Sequence, residues 1–456
     1  MKQYDLIVIG TGSGLDVAVA AASSGLKVAI FEKEKMGGTC LNRGCIPSKM
    51  LIHSADVAEI IKKSSMFGIK AKITKIDFPS IIKRVSDFVD EDSKGIERAY
   101  SENTNPALFK GTVRFIGMKT LQLKNETFKA DKILIATGAR PTIPEIEGLD
   151  KVDYITSTEA LRLTKQPREL TILGGGYIAA ELAHFYGSLG TKINIVQRSS
   201  WLLTKEDEEI AKKYTESVSK KFNLFLNYDI VKVSEKNKKF FTVIKDQKTN
   251  KAKTLKSDQL LIVLGVTPNS DILDLGKTNV NVDDKGFMIT NEYMETNASG
   301  IFALGDAVGK YMFKHNANWE AEYILNNILN PNNKKKVDYT AMPHAIFTSP
   351  QIAGVGYTEQ ELKEKNIPYS IGKHKYIYTG MGKAIEDTEG FVKILVDKNT
   401  KKILGCHILG TDASALIHEV LIAMKSGSGK IDDIINTVHI HPALSEVVQR
   451  AAFNIN

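Results

Sequence analysis

Cysteine is scarce, with three residues in 456: Cys40, Cys45 and Cys406. So low a count excludes the disulfide framework of a small secreted protein. Arginine is scarce as well, supplying nine of the 61 basic side chains, with lysine supplying the rest. The formal net charge of +8 is therefore carried mostly by scattered lysines, as on a solvated surface. No basic block is interleaved with stacking aromatics, which argues against a nucleic-acid binder. Long apolar runs are missing too. The apolar stretch from Leu6 to Phe31 is broken by Gly10, Gly12, Gly14 and Gly25, so it does not read as a membrane span. The opening Met1-Lys2-Gln3-Tyr4-Asp5 shows no signal-peptide pattern, and the expected location is cytoplasmic.

What is present is a globular composition, 43% hydrophobic and 25% charged, over a length that suits two to four domains. Two of the three cysteines, Cys40 and Cys45, lie in one segment, Gly37-Gly38-Thr39-Cys40-Leu41-Asn42-Arg43-Gly44-Cys45-Ile46-Pro47-Ser48-Lys49. On a regular helix their Cα atoms would stand ~8–9 Å apart, whereas a disulfide needs less than about 7 Å. The pair can bridge only if Cys40 lies where the helix begins or its first turn is distorted, and Gly37, Gly38 and Gly44 permit such backbone. A helix N-terminus favours the thiolate, and Lys49 places a cation one turn beyond Cys45. In a reducing compartment a close pair is more often redox-active or metal-binding than structural. With no second ligand pair at a recognisable spacing, no metal is expected.

Two stretches have the strand–glycine–helix–strand pattern of a dinucleotide site. In the first, an apolar strand from Tyr4 to Ile9 leads into Gly10-Thr11-Gly12-Ser13-Gly14 and an Ala-rich helix. The next strand ends at Glu32, which can accept hydrogen bonds from a ribose. Gly10 suits the tight turn, and Gly12 permits close approach of a pyrophosphate to the helix N-terminus. The third fingerprint position, usually Gly or Ala, is Leu15, a departure that works against close helix–strand packing unless Gly14 relieves it. The second stretch runs from the strand Thr171–Leu173 through Gly174-Gly175-Gly176-Tyr177-Ile178-Ala179, with Gly174, Gly176 and Ala179 matching the fingerprint. Its following strand ends at Gln197-Arg198. An acid at that strand end binds the 2′-hydroxyl of NAD, whereas Arg accommodates the phosphate of NADP. Gln197 and Arg198 therefore favour NADPH, with NADH possible.

The segment GGTCLNRGCIPSK resembles the redox-active disulfide segment of the class I pyridine nucleotide-disulfide oxidoreductases, and further motifs extend the resemblance over the whole chain. It implies an α/β fold: two Rossmann-like dinucleotide-binding domains plus a C-terminal α+β dimerisation domain. The expected boundaries are residues 1–148 for the first part of the FAD domain, 149–267 for the NAD(P) domain, 268–337 for the return to the FAD domain and 338–456 for the interface domain. FAD would be held by Gly10, Gly12, Gly14, Glu32, Gly38, Thr39, Lys49, Thr137, Gly138 and Asp306, the last in Thr296–Gly309. The pyridine nucleotide would be held by Gly174, Gly176, Tyr177, Ala179, Gln197, Arg198 and Gly265. Tyr177 would cover the nicotinamide, and Glu181 would pair with Lys49 beside the flavin.

The resemblance also implies that Cys45 is nearer the flavin and that Cys40 attacks a disulfide. In His439-Ile440-His441-Pro442-Ala443-Leu444-Ser445-Glu446, His441 would be the proton carrier, oriented by Glu446 and acting across a homodimer interface. His439 is the weaker candidate. Pro442 suits the first turn of a helix, placing Glu446 just over one turn in. Cys406 reads as core. The expected substrate is a small-molecule disulfide or dithiol, or a lipoyl group. GTGSG, IPSKML, KHNANWEA, AIEDTEGFVK and HIHPALSEVV resemble the mycothione reductases, while CIPSK and HPALSE are also similar to dihydrolipoamide dehydrogenases. No cysteine follows Cys406, which argues against the C-terminal pair of a mercuric reductase. A nonenzymatic nucleotide-binding or structural subunit is the other class considered. Retention of both cysteines and of His441 and Glu446 argues against it.

Overall fold

Leu6, Ile7, Val8 and Ile9 are consecutive apolar residues, none more than 5% exposed. A run buried on both faces suits a central parallel strand. In the computed structural model, which describes residues 1–455, it forms the strand Lys2–Ile9, with Val28–Glu32 on one side and Glu126–Ile135 on the other, all parallel. Ala107–Lys110 extends the sheet beyond Val28–Glu32, and Ile301–Ala303 adds in parallel to Glu126–Ile135. A short antiparallel pair, Arg114–Gly117 and Thr120–Leu123, completes it.

The described residues divide into two units. The first comprises residues 1–50, 80–142 and 265–338 and contains this sheet. Its core gathers Phe31, Phe115, Phe128, Ile133 and Ile301. The second comprises residues 51–79, 143–264 and 339–456. There Glu169–Leu173, Lys192–Gln197, Asn223–Leu226 and Gln259–Ile262 form a parallel sheet, and three strands between Tyr228 and Ser257 form an antiparallel one. Five antiparallel strands of the C-terminal stretch build a third sheet, ordered Pro343–Ile346, Gln351–Gly356, Ile403–Gly410, Phe391–Asp397 and Tyr369–Lys375. The helix Cys45–Lys63 carries the chain from the first unit into the second.

The two glycine motifs are built alike. Gly10 has φ +104° and Gly174 φ +117°. A Cβ on Gly10 would stand 2.3 Å from Ala136 O, and one on Gly174 would stand 2.4 Å from Val263 O. Only glycine fits either turn. Gly14 allows the close helix–strand packing, since its Cβ would lie 2.8 Å from Ala136 Cβ and 2.9 Å from Val8 Cγ1. Leu15 at the third fingerprint position thus leaves the helix Gly14–Ser23 close to the sheet. Cys406 is fully buried in the C-terminal core, as expected.

Candidate active site

The cysteine segment is two helices. Gly38–Arg43 holds Cys40, and Cys45 opens Cys45–Lys63. The break is at Gly44, whose added Cβ would lie 2.9 Å from Thr39 O and 3.2 Å from Cys40 Cα. The chain therefore folds back onto Cys40, which is the distortion the pair requires. Asn42 fixes the first helix by donating from Nδ2 to Met36 O at 2.8 Å and Gly38 O at 3.0 Å.

Both cysteines are free thiols, partly buried. The Cys40 thiol is lowered to about 7, chiefly by a hydrogen bond from Cys45 and further by Lys314, against the opposing effect of burial. Cys45 is pushed up by the same bond, by burial and by the Cys40 charge, with Lys49 pulling the other way. One proton between two sulfurs thus leaves the thiolate on Cys40. Lys314, in the helix Lys314–Leu329, is held by donating to Ser13 Oγ at 2.9 Å, and Ser13 donates to Asn318 Oδ1 at 2.8 Å. Its approach to Cys40 was hidden in the sequence, where KHNANWEA marked only a resemblance.

The first glycine motif lies within the same unit. Glu32 Oε2 accepts from Thr11 N at 3.0 Å and Thr11 Oγ1 at 2.6 Å, and Glu32 Oε1 accepts from Glu34 N at 2.8 Å. The residue expected to hold a ribose also braces the turn. Gly12 is open, with nothing within 4 Å of its absent Cβ, while a Cβ on Gly38 would meet Gly12 Cα at 2.7 Å. Thr137 Oγ1 and Asn316 Oδ1 are buried without a hydrogen-bond partner among the described residues. Burial raises the Asp306 carboxyl. Asn269 braces the Thr137–Gly138 turn, donating from N to Gly138 O at 3.0 Å and from Nδ2 to Thr137 O at 2.8 Å. An open glycine turn at a helix start, with unsatisfied buried acceptors and donors nearby, fits a dinucleotide bearing a polyhydroxyl chain.

In the second unit, Gly176 precedes the helix Tyr177–Ser188, and Ala179 is buried. Glu181 Oε1 accepts from Phe347 N at 3.0 Å. Gln197 ends its strand and packs under Gly175, whose Cβ would lie 3.0 Å from Gln197 Cδ. Arg198 is 78% exposed, and its Nε lies 2.9 Å from Asp229 Oδ1. The sequence reading did not include Asp229. Gly265, in the first unit, accepts from Thr142 N at 3.0 Å.

The histidine segment differs from expectation. Helix does not start at Pro442 but at Glu446, running to Phe453, and the His441–Pro442 bond is cis. Glu446 replaces the first helical turn by folding back: its Oε1 lies 2.9 Å from His441 Nδ1 and its Oε2 accepts from Ala443 N at 3.3 Å. The expected pairing is present on different backbone. The bond to His441 holds Glu446 below the usual carboxylate range. His441 is 74% exposed, so Nε2 is the nitrogen offered outward. Both nitrogens of His439 are engaged, by Glu419 and Thr437 O, which makes it a structural residue.

A free dithiol beside a dinucleotide cradle, with a second dinucleotide motif in the same chain, defines a disulfide oxidoreductase. The chain belongs to the pyridine nucleotide-disulphide oxidoreductase family, whose main domain matches residues 4–321 and whose dimerisation domain matches residues 342–452. It is an enzyme of the flavoprotein disulfide reductases, FAD-dependent and using a pyridine nucleotide. It is 35% identical to mycothione reductase of Mycobacterium tuberculosis over 465 residues, the whole of both chains. It is 34% identical to dihydrolipoyl dehydrogenase 2, mitochondrial, of Arabidopsis thaliana, over 98% of this chain and 89% of that one. Among solved structures, the Cu(II) complex of the HOCl-induced flavoprotein disulfide reductase RclA from Escherichia coli superposes with a TM-score of 0.88 at 26% identity, over 99% of each chain. Among the described residues no helix is long and apolar enough to cross a membrane.

Proposed function

We propose that this enzyme uses NADPH to reduce a low-molecular-weight disulfide in the cytoplasm, with Cys40 as the attacking thiol. The observation that carries the reading is the pair of free thiols Cys40 and Cys45, drawn together at the helix break at Gly44, with the Cys40 thiol held below its ordinary value. An attacking thiol works best with a pKa near ambient pH. FAD, held by Gly10, Gly12, Gly14, Glu32, Gly38, Thr39, Lys49, Thr137, Gly138 and Asp306, supplies a two-electron carrier between the nicotinamide and the Cys40–Cys45 disulfide. The Cys40 thiolate attacks one sulfur of the substrate disulfide and expels the first thiolate, forming a mixed disulfide. Cys45 then gives up its proton, which ends on the second thiolate, and attacks the Cys40 sulfur to release that thiolate, leaving the Cys40–Cys45 disulfide. His441 from a second copy of the chain gives its Nε2 proton to the first leaving thiolate. Glu446 holds the imidazole in place through Nδ1. Lys49 and Glu181 serve the flavin side.

Arg198 supports NADPH, because its guanidinium can accept a 2′-phosphate beside Gln197. Gly174, Gly176, Tyr177, Ala179 and Gly265 complete that site. One observation favours the second reading, an NAD-linked dihydrolipoyl dehydrogenase: Asp229 already pairs with Arg198 and places a carboxylate where a phosphate would be repelled. Steady-state kcat/KM with NADPH and NADH, each against lipoamide and a panel of thiol disulfides, separates the two. Preference for NADPH with a small disulfide is expected. Preference for NADH with lipoamide would favour the second.

A further inference from the structure

Tyr177 directly follows the second glycine motif and opens its helix. Its hydroxyl donates to Glu206 Oε1, and Glu206 Oε2 lies 2.8 Å from His344 Nε2. The Tyr177 and His344 rings are nearly parallel, 9° apart in plane with centroids separated by 6.1 Å. Three segments meet here: the helix start, the loop before helix Glu208–Ser219 and the strand Pro343–Ile346. Gly354, opposite His344 in the sheet, makes room for the imidazole. A Cβ there would stand 2.6 Å from His344 Cε1.

The Glu206 side chain has no exposed surface. Burial pushes its carboxyl up, but hydrogen bonds from His344 and Tyr177 bring it below the ordinary range. A buried carboxylate is costly unless paired and hydrogen-bonded, and apolar packing often serves stability as well or better. This cluster lies outside the cysteine site, yet it ends on the one aromatic side chain of the second glycine motif.

We propose that Glu206 and His344 are positioning residues for Tyr177, tethering its phenol so that an arriving nicotinamide must displace a held ring. The tether thereby sets the affinity for the pyridine nucleotide. This rests on the placement of Tyr177 at the nicotinamide site. Moving the ring breaks a hydrogen bond to a buried charge and leaves that charge one donor short. Hydrogen bonds to charged groups are worth about a decade or more in an equilibrium, and water returns part of it, so loosening this one should tighten nucleotide binding about three- to tenfold.

The test is calorimetric titration of the FAD-loaded enzyme with NADP⁺ and with NAD⁺, on wild type, Tyr177→Phe, Glu206→Gln, the double variant and Tyr177→Ala. Each conservative single variant should lower Kd about three- to tenfold, and the double should go no further, because both act on one bond: Tyr177→Phe removes its donor and Glu206→Gln leaves only a neutral acceptor. The inference would be overturned if Glu206→Gln shifted Kd as much on top of Tyr177→Phe as it does in wild type, or if Kd were unchanged in both single variants. A shift with Tyr177→Ala but not with Glu206→Gln overturns the tether and leaves the placement standing. No shift with Tyr177→Ala defeats the placement itself. Tyr177→Phe cuts the bond without altering the buried charge, so it still decides the matter if Glu206→Gln does not fold.

Discussion

Cys40 and Cys45 stand on either side of the helix break at Gly44, close enough that each shifts the other's thiol, Cys40 down and Cys45 up. That contact makes the pair chemically unequal: the proton stays with Cys45 and the thiolate with Cys40.

The inequality predicts a pH profile. A thiol with a lowered pKa is reactive above that pKa and loses reactivity as pH falls through it. Iodoacetamide alkylation of Cys40 in the reduced enzyme, followed by peptide mass spectrometry, should be half-maximal near about 7. Cys45→Ala removes the donor and should move the midpoint up toward the ordinary value of 9.0, and Lys314→Met should move it the same way by less. An unmoved midpoint in Cys45→Ala would show that the bond does not set the reactivity.

Gly44→Ala should uncouple the pair without deleting either sulfur. Its Cβ would meet Thr39 O at 2.9 Å, so the fold-back must open. Reoxidation of the dithiol, followed by thiol titration, should slow, and the Cys40 alkylation midpoint should rise. Wild-type behaviour in both assays would mean that the break tolerates a side chain.

Much of this site was legible because its signals are local. Glycines at the turns, an apolar run for each buried strand and two cysteines flanking Gly44 announce themselves within a dozen residues. Lys314 beside Cys40, Asp229 on Arg198 and His344 on Glu206 did not, because each contact joins segments far apart in the chain; the last spans 138 residues. The start of the final helix was misplaced for another reason. Pro442 is a sound helix-start signal, but the Glu446 side chain takes up Ala443 N and His441 Nδ1, and the helix begins only after that turn.

His441 and Glu446 should act in the thiol half-reaction. His441→Ala is expected to slow disulfide turnover about 10²–10⁴-fold, the usual range for a general acid–base group, while flavin reduction by the nucleotide changes little in stopped flow. Glu446→Gln should cost less, since the imidazole keeps a neutral partner. Mixed dimers of a Cys40→Ser chain and a His441→Ala chain should regain activity, because one of their two sites then has both intact groups. No recovery would contradict a site shared between subunits.

The proposed use of NADPH makes Arg198 and its partner Asp229 the residues to vary. Arg198→Ala should lower the NADPH/NADH ratio of kcat/KM by about one to two decades, and Asp229→Asn should raise it by freeing the guanidinium. A wild type that prefers NADH and ignores Arg198→Ala would remove the case for NADPH.

The most direct test of the account traps the substrate on the enzyme. Cys45→Ser protein, reduced and mixed with a low-molecular-weight disulfide or with oxidised lipoamide, has no second thiol to resolve the adduct. Peptide mapping by mass spectrometry should find a mixed disulfide on Cys40, while Cys40→Ser protein treated alike should carry little. An adduct found mainly on Cys45 of the Cys40→Ser protein, with Cys40 unmodified in the Cys45→Ser protein, would contradict the assignment of the attacking thiol.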